Sequence, residues 1–280
     1  MKYGFIYPGG DALDAASVAQ AAEEAGWDGF FVWEPVWGVD AWVSLTAAAM
    51  RTERIRLGTM ITPLSRCRPW KLASETATLD RLSNGRVILS VGLGAIDTGF
   101  VQFGEQTDRK IRAELVDEGL EILTGLWKGQ PFHFSGKHYH ITETEFFPPA
   151  PPIQTPRIPI WVVGLWPSHK SMARVARYDG LLPYQRNPDG SPAEITPDAI
   201  RQMKAYLEER RQSTIPLDIV IEAGETPAPG SQAAIEKAHA LEEAGATWWL
   251  DSMWDACKTM WQPDTQSLIL RRVEQGPPRA

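Results

Sequence analysis

Two glycines at the end of an apolar segment mark a place where this chain can readily hold a ligand. Gly92 and Gly94 follow residues 87–91, which are too hydrophobic for a sheet face in water and predict a strand buried on both sides. Because glycine has no Cβ, backbone N–H groups at this exit can approach a flat or anionic group closely. We therefore predict a ligand site at the carboxyl end of this strand.

A carboxylate and two indoles follow the strand predicted at residues 29–32. Glu34 is flanked by Trp33 and Trp37, so we expect it to lie in a cleft. Glu222 follows another predicted strand, and with Glu34 it could form the carboxylate pair of a glycosidase. Against this barrel hydrolase, the strand at 86–91 ends in glycine where such an enzyme would be expected to have an acid. A surface or structural role suits Glu222 better.

Aromatic residues recur at the predicted strand exits. The chain has 12 tryptophans, some of which must belong to the core. Large aromatic side chains offer both apolar area and stacking faces to a planar ligand. By their positions along the chain, the residues expected to wall a substrate pocket are Trp33, Trp37, Tyr184 and Trp254.

A strand-to-helix turn is predicted at residues 164–169. Gly164 and Leu165 follow the strand, and Ser168 is placed at the N-cap of the helix, where free N–H groups and the helix dipole can bind phosphate. Serine is also a common N-cap without any ligand, so both interpretations stay open. Arg66 and Arg112 are among the basic residues nearest the third and fourth exits. They could neutralise a phosphate or simply be solvated.

Other chemistries find little support. His138 and His140 share a face of an extended segment but have no third ligand, so a β-hairpin explains them better and no metal site is predicted. Cys67 and Cys257 have neither metal-ligand spacing nor a disulfide framework. No GxSxG elbow occurs. Hydrolysis by a serine or cysteine nucleophile is therefore disfavoured.

The charge balance restricts the kinds of partner. The chain has 28 basic and 35 acidic residues, a net charge of −7, and no basic run, so we expect no nucleic acid and no anionic membrane as partners. No uninterrupted apolar run approaches the ~20 residues of a membrane span, and the first residues show no signal-peptide pattern. We expect a cytoplasmic protein that acts on a small molecule.

Strand and helix signals alternate along the chain, which predicts repeated β-α units around a parallel sheet. Together they predict a (β/α)8 TIM barrel as a single domain over residues 1–280, with an inserted, proline-rich strap at 130–157 between strands four and five and a frayed tail at 276–280. Predicted strands lie at 2–7, 29–32, 55–59, 86–91, 158–163, 180–182, 217–221 and 247–250. Predicted helices lie at 14–25, 41–51, 70–82, 108–127, 168–178, 197–211, 232–244 and 265–273.

Several segments in this order resemble the luciferase-like flavin-dependent oxidoreductases, a barrel family that includes bacterial luciferase and deazaflavin-dependent reductases and dehydrogenases. The resemblance covers most of the chain. It is carried by AAEEAGWDGFFVWE at 21–34, RTERIRLGTMITP at 51–63, RPWKLASETATLDRLSNGRVILSVGLG at 68–94, GLWKG at 125–129 and PPIQTPRIPIWVVG at 151–164. No single segment is unique to the family, but the ordered set is specific.

The resemblance implies an FMN or deazaflavin (coenzyme F420) ring lying across the barrel mouth, with NAD(P)H as a possible electron donor and a homodimer by family analogy. The ring would rest on a bulge after strand three, often built with a non-proline cis peptide, and its phosphate would bind backbone near the fourth and fifth exits. These expectations fall on Thr59, Met60, Ile61, Gly92, Gly94, Gly164, Leu165 and Ser168.

Two departures from the family pattern bear on catalysis. Many members have an Asp-His pair at the second exit, whereas this chain has Glu34 and Pro35. Deazaflavin-dependent dehydrogenases place a glutamate after the glycine pair of strand four, where this chain has Ala95. The leading prediction is an oxidoreductase, a monooxygenase or a hydride-transfer reductase, in which Glu34 is the substitute acid or base. A flavin-binding protein of the same fold without turnover is the alternative.

Overall fold

The computed structural model describes residues 1–145, 149–224, 231–259 and 262–279. Within them, eight parallel strands form a closed (β/α)8 barrel, as predicted. Each strand pairs with the next along the chain, and the last pairs with the first. The strands are β1 Lys2–Tyr7, β2 Gly29–Val32, β3 Arg56–Thr59, β4 Val87–Gly92, β5 Ile160–Leu165, β6 Gly180–Tyr184, β7 Asp218–Gly224 and β8 Trp248–Ser252.

Helices surround the barrel in the predicted order. Six of them begin after an Asp, Ser or Thr whose side chain accepts a backbone N–H of the first turn, which is why local sequence locates their starts well. The α-helices are α1 Ala12–Glu24, α2 Ala41–Ala49, α3 Pro69–Leu82, α4 Arg109–Lys128, α5 His169–Val175, α6 Pro197–Glu208, α7 Gln232–Ala244 and α8 Pro263–Glu274. None of these described helices combines the length and the apolar composition that a membrane crossing requires.

Several predicted strand ends were too early. β6 continues to Tyr184, β7 to Gly224 and β8 to Ser252, whereas the sequence predicted ends at 182, 221 and 250. The backbone pairing between neighbouring parallel strands continues beyond the apolar runs from which the strand ends were predicted. Between β5 and β6, for example, it extends to the pair Leu165 and Tyr184. Polar residues near these ends therefore belong to strands, and their direction follows strand alternation.

Large rings fill the lower half of the barrel. Phe31, Trp161 and Trp248 point inward and are buried, and their ring centroids lie 5.1 to 6.1 Å apart. Glycine on neighbouring strands makes room for them, since a Cβ on Gly180 would lie 2.2 Å from Trp161 Cδ1 and one on Gly4 2.8 Å from Phe31 Cε2. The barrel is therefore packed below its carboxyl-terminal mouth.

A buried arginine joins three elements beneath β4. The guanidinium of Arg86 donates hydrogen bonds to the Thr52 hydroxyl and to the carbonyl oxygens of Ala49, Thr52, Ile55 and Ser83, at 2.7 to 3.1 Å. These carbonyls belong to the end of α2, the approach to β3 and the end of α3. Because Arg86 is only 7% exposed, the group satisfies backbone oxygens that water cannot reach.

The predicted strap contains the β-hairpin that was expected around the histidines. Strands Phe132–Ser135 and His140–Thr144 pair in antiparallel fashion, and the Glu118 carboxylate on α4 accepts the backbone N–H groups of the connecting turn. Further on, the buried Asp80 carboxylate accepts the backbone N–H groups of Ile153 and Gln154. Residues 146–148 of the strap lie outside the described residues.

The carboxyl-terminal tail differs from the expected fraying. Gly276 and Pro278 are buried, and the Arg279 guanidinium donates to the Asp28 carboxylate at 2.5 Å. The tail up to residue 279 therefore runs along the amino-terminal side of the barrel, and Ala280 lies outside the described residues.

Candidate cofactor and substrate site

The segment after β3 forms one edge of the barrel mouth. The peptide bond between Met60 and Ile61 is cis, at the position that the family resemblance implies. The chain then turns into a short strand, Thr62–Pro63, which pairs with the end of β4. The Ile61 side chain consequently packs beside Gly92 at the opening.

Glu34, at the exit of β2, faces this same edge. Its carboxylate accepts a hydrogen bond of 2.6 Å from the Thr62 hydroxyl and lies 3.6 Å from the Arg66 guanidinium. The Glu34 side chain is 12% exposed, and loss of hydration raises its pKa to about 7, although the Thr62 hydrogen bond and Arg66 both oppose the rise. Glu34 is therefore poised to exchange a proton near neutral pH.

A chain of hydroxyl groups leads from β3 to Glu34. The hydroxyls of Thr59 and Thr62 lie 2.9 Å apart, and both residues are fully buried. The Thr62 hydroxyl donates to Glu34, and the Thr59 hydroxyl also lies within hydrogen-bond distance of the Ser90 carbonyl oxygen. The two threonines thus fix the orientation of the carboxylate.

Gly92, the last residue of β4, and Gly94, two residues further on, both lie close to neighbouring side chains. A Cβ on Gly92 would lie 2.3 Å from Ile61 Cδ1, and Gly94 adopts a φ of +79°, which favours glycine. Arg112 donates to the carbonyl oxygens of Leu93 and Gly94 at 3.0 and 2.9 Å. Arg112 therefore braces this loop through its carbonyl groups.

The predicted phosphate turn lies at the start of α5. Ser168 is the N-cap, and its hydroxyl accepts the Ser171 N–H. The Leu165 N–H donates to the Ser171 hydroxyl at 2.9 Å. A Cβ on Gly164 would point toward Met172 of α5. These contacts account for the turn structurally, and phosphate binding by these three positions stays a prediction.

The predicted aromatic wall is only partly assembled. The rings of Trp33 and Trp254 meet edge to face, with centroids 6.4 Å apart. Tyr184 ends β6 and is half-buried, with the Arg186 guanidinium 5.5 Å from its ring centroid. Trp37 is not brought to this group, because its side chain is 81% exposed on the loop after β2.

Three polar groups in the mouth were missed or assigned elsewhere from the sequence. Glu222 lies two residues after the inward-pointing Val220 and so points into the barrel, where the Trp254 indole N–H donates to its carboxylate. Loss of hydration raises the pKa of Glu222, although hydrogen bonds from Trp254 and Ser252 oppose the rise. The side chain is still accessible to solvent from the mouth. The buried Ser90 hydroxyl has no hydrogen-bond partner among the described residues, whereas the buried Ser252 hydroxyl lies beside Glu222 and donates to its carboxylate.

Strand alternation is the signal that could have found these residues. Ser90 follows the inward-pointing Ile88 by two residues, and Ser252 follows Leu250 by two. Glu222 was expected at the exit of β7 and was set aside as a surface or structural acid, because the fourth exit lacks the acid that a glycosidase would need. β7 continues past it to Gly224, so strand alternation directs its carboxylate toward the barrel mouth.

Two further candidates are explained by their contacts. The Arg66 guanidinium donates to the Pro35 carbonyl oxygen at 2.6 Å, so it is engaged at the second exit rather than solvated. Burial, together with the nearby Glu34 carboxylate, raises the pKa of the Cys67 thiol, which opposes formation of a reactive thiolate. In the described ranges, no group of three or more His, Cys, Asp or Glu residues is arranged to hold a metal ion.

The chain is similar to known proteins both in sequence and in structure. An F420-dependent glucose-6-phosphate dehydrogenase from Amycolatopsis mediterranei is 33% identical over 144 residues, which cover 48% of this chain and 43% of that protein, so the match spans less than half of the relative. The coenzyme F420 dependent tetrahydromethanopterin reductase from Methanopyrus kandleri has 17% identity and a TM-score of 0.75, with 98% of each chain covered.

A second solved structure has the same fold. The oxygenating constituent of 3,6-diketocamphane monooxygenase from Pseudomonas putida, in complex with FMN, has 18% identity and a TM-score of 0.71, with 100% of this chain and 99% of that chain covered. The family model described as luciferase-like monooxygenase matches residues 5–267. By this match over nearly the whole sequence, the chain belongs to the luciferase-like monooxygenase family, as its resemblance predicted.

Proposed function

We propose that this protein is an oxidoreductase that binds F420 or FMN across the barrel mouth and acts on a small organic substrate. The observation that carries the proposal is the Glu34 carboxyl group, which has a pKa of about 7 and is oriented by Thr62 beside the glycine-lined exit of β4. In a barrel of this family, a ring at the mouth would have this proton donor or acceptor beside it, which supports the proposal.

The residues at the mouth fit such a group. Ser90 directs a buried, unpartnered hydroxyl into the barrel, and Gly92 has no Cβ where one would crowd Ile61. Ile61, Ser90, Gly92 and Gly94 are the residues that would contact a flat tricyclic ring. When bound, this cofactor supplies hydride transfer, and FMN would also supply oxygen activation.

The protein's own residues would supply orientation, proton transfer and exclusion of water. Glu34 can donate its proton to a developing anion or accept one from a substrate hydroxyl, because both of its forms are populated near pH 7. Thr62 holds one carboxylate oxygen, and Arg66 stabilises the charged form from 3.6 Å. Trp33 and Trp254 shield the opening from bulk water.

The relatives are consistent with both cofactors. The Amycolatopsis relative is named as F420-dependent, and the Pseudomonas structure is a complex with FMN. Glu34 and Pro35 stand where many members of the family have an Asp-His pair, and Ala95 stands where deazaflavin-dependent dehydrogenases have a glutamate. With FMN, NAD(P)H would be the electron donor.

The test is to identify the small molecule that the purified protein releases on denaturation, by mass and absorption spectrum. If none copurifies, FMN and F420 are each added, oxidised and reduced, and binding is followed by calorimetry. We expect one of them to bind. Steady consumption of NAD(P)H or reduced F420 with an acceptor supports the enzyme. A bound but inert cofactor supports the non-catalytic flavin-binding alternative, and failure of both cofactors to bind contradicts the proposal.

A further inference from the structure

Ser90 lies opposite the irregular segment that follows β3. The backbone pairing of β3 with β4 reaches Ile88, and the short strand beyond the segment resumes the pairing at Val91. Residues 59–61, which include the cis peptide bond, therefore lie opposite Ser90 and the residue before it. The Thr59 hydroxyl is 3.4 Å from the Ser90 carbonyl oxygen. Ser90 is thus beside the segment on which the cofactor ring is expected to rest.

The Ser90 side chain is a polar group in an apolar interior. It points into the barrel, because it follows the inward-pointing Ile88 by two residues on β4. Ser90 is 0% exposed, and its hydroxyl has no hydrogen-bond partner among the described residues. The other buried side chains of this inner cluster are apolar or aromatic: Ile6, Phe31, Met60, Trp161, Leu182, Val220, Trp248 and Leu250. A buried hydroxyl without a partner is costly, so a polar ligand atom that reaches it gains a hydrogen bond that the free protein lacks.

The way from the mouth to this hydroxyl passes Gly92. Gly92 is the next inward position of β4 above Ser90, and it has no side chain to cover the hydroxyl. The Ile61 side chain lies over Gly92, since its Cδ1 would be 2.3 Å from a Cβ there, and it is only partly buried. A flat ring that takes the place of this side chain at Gly92 would have its inner edge at the Ser90 hydroxyl.

We propose that the Ser90 hydroxyl orients the cofactor ring by donating a hydrogen bond to a carbonyl oxygen of the ring's pyrimidine edge. That edge has carbonyl groups in both FMN and F420, so the same contact serves either cofactor. The opposite edge of the FMN ring has only methyl groups, which cannot accept a hydrogen bond. The hydroxyl therefore favours the ring with its pyrimidine edge directed into the barrel. This inference rests on the proposed function, because it states how that cofactor is turned in the mouth.

The test begins with Ser90→Ala, which removes the hydroxyl with little change in volume. Without cofactor, the melting temperature of this variant should equal or exceed that of the unmodified protein, because the hydroxyl has no partner to lose. FMN and F420 are each titrated into the full chain and followed by fluorescence. The cofactor that the unmodified chain binds should bind Ser90→Ala about tenfold more weakly. Ser90→Cys keeps a weaker donor, so its affinity should lie between the two.

Ser44→Ala is the matched control. Ser44 is also buried, but it lies on α2 outside the barrel, and its hydroxyl donates to the Asp40 carbonyl oxygen at 2.8 Å. This variant should lower the melting temperature by about a few degrees and leave the cofactor affinity unchanged. If Ser90→Ala lowers the melting temperature as much as Ser44→Ala does, the Ser90 hydroxyl already has a partner in the free protein, and the inference is overturned.

Carbon NMR measures the contact itself. The bound cofactor is labelled with carbon-13 at the carbonyl carbons of the pyrimidine edge, whose resonances move downfield when the oxygen accepts a hydrogen bond. One of them should move upfield in the complex with Ser90→Ala, and none should move in the complex with Ser44→Ala. Carbonyl resonances that stay in place in Ser90→Ala overturn the inference, and so does an unchanged affinity of that variant.

Cofactor binding by the unmodified chain distinguishes this inference from the proposed function. If a cofactor binds the unmodified chain and Ser90→Ala equally well, only the orientation by Ser90 is wrong. If neither FMN nor F420 binds the unmodified chain, the proposed function fails, whatever the melting temperatures of the variants show.

Discussion

The Thr62 hydroxyl lies 2.6 Å from a Glu34 oxygen, so the segment after β3 holds the carboxylate at the exit of β2 directly. This contact ties the position of a titrating carboxyl group to the backbone on which the cofactor is expected to rest. Glu34 is nearly enclosed, and its pKa of about 7 can be examined without knowing the substrate.

The first prediction concerns stability and pH. The pKa of Glu34 rises from its ordinary value of 4.5 to about 7 in the folded chain, so the folded protein binds more protons than the unfolded chain between these values. This contribution to stability is complete below pH 4.5 and is lost as pH rises through about 7. It corresponds to about 3 kcal/mol as an order of magnitude. In urea unfolding, the unmodified protein should have a lower free energy of unfolding at pH 8 than at pH 5.5 because of this group. Glu34→Gln should reduce that difference, whereas Glu274→Gln, at an exposed position of α8, should leave it unchanged.

The second prediction concerns Thr62. Thr62→Val removes a hydrogen bond that favours the charged carboxylate, so the pKa of Glu34 should rise further above 7. Thr62→Ser keeps a hydroxyl and should restore a value close to the original. Carbon NMR of labelled glutamate follows the titration directly. An unchanged Glu34 titration in Thr62→Val would mean that the hydroxyl does not hold the carboxylate.

The third prediction concerns the pH dependence of turnover. If protonated Glu34 donates a proton, kcat/KM should fall as pH rises above about 7, and Glu34→Gln should lower kcat about a hundredfold or more. If the carboxylate accepts a proton, the profile rises through the same value. In either case the inflection should disappear in Glu34→Gln. An inflection that persists in the variant assigns the titration to another group.

The fourth prediction concerns the space beside Gly92. Gly92→Ala places a Cβ 2.3 Å from Ile61 Cδ1, which would push the isoleucine into the mouth and weaken cofactor binding about tenfold. Ile61→Val removes that terminal methyl group, so the double variant should recover most of the affinity. Fluorescence titration with FMN or F420 measures both. Equal affinity of Gly92→Ala and the unmodified chain would show that the ring does not use this edge.

The fifth prediction concerns the buried guanidinium under β4. Arg86→Met would leave several backbone carbonyl oxygens without a donor, and we expect the free energy of unfolding to fall by about 3 kcal/mol. Arg51→Met, at an exposed arginine nearby, should change it by less than about 0.5 kcal/mol. Urea denaturation of both variants gives the comparison.

Much of the barrel could be predicted because its strands and helices carry local signals. Helix α7 was predicted to the residue, since Ser231 caps its start and Gly245, at a φ of +112°, ends it. Helix α6 was predicted to end at residue 211, but it ends at Glu208. The prediction ran too far because residues 209–211 contain no glycine or proline that would mark the end of the helix.

The site was harder to predict than the fold. Glu34 and Gly92 were identified because they directly follow apolar strands. Glu222 was counted among the strand exits but set aside as a surface or structural acid, because β4 ends in glycine where a glycosidase would be expected to have an acid. Trp37 was grouped with Trp33 by proximity in sequence, but it lies five residues beyond β2, where no periodicity governs direction. The contact between Thr62 and Glu34 depends on how separate strand exits meet in space.

The packed rings of Phe31, Trp161 and Trp248 have a kinetic consequence. They block passage along the barrel axis, so any compound that reaches the interior has to arrive and depart on the same side. Product cannot escape at the bottom while fresh reactant enters at the top. Product must therefore leave through the opening before the next reactant can enter by it.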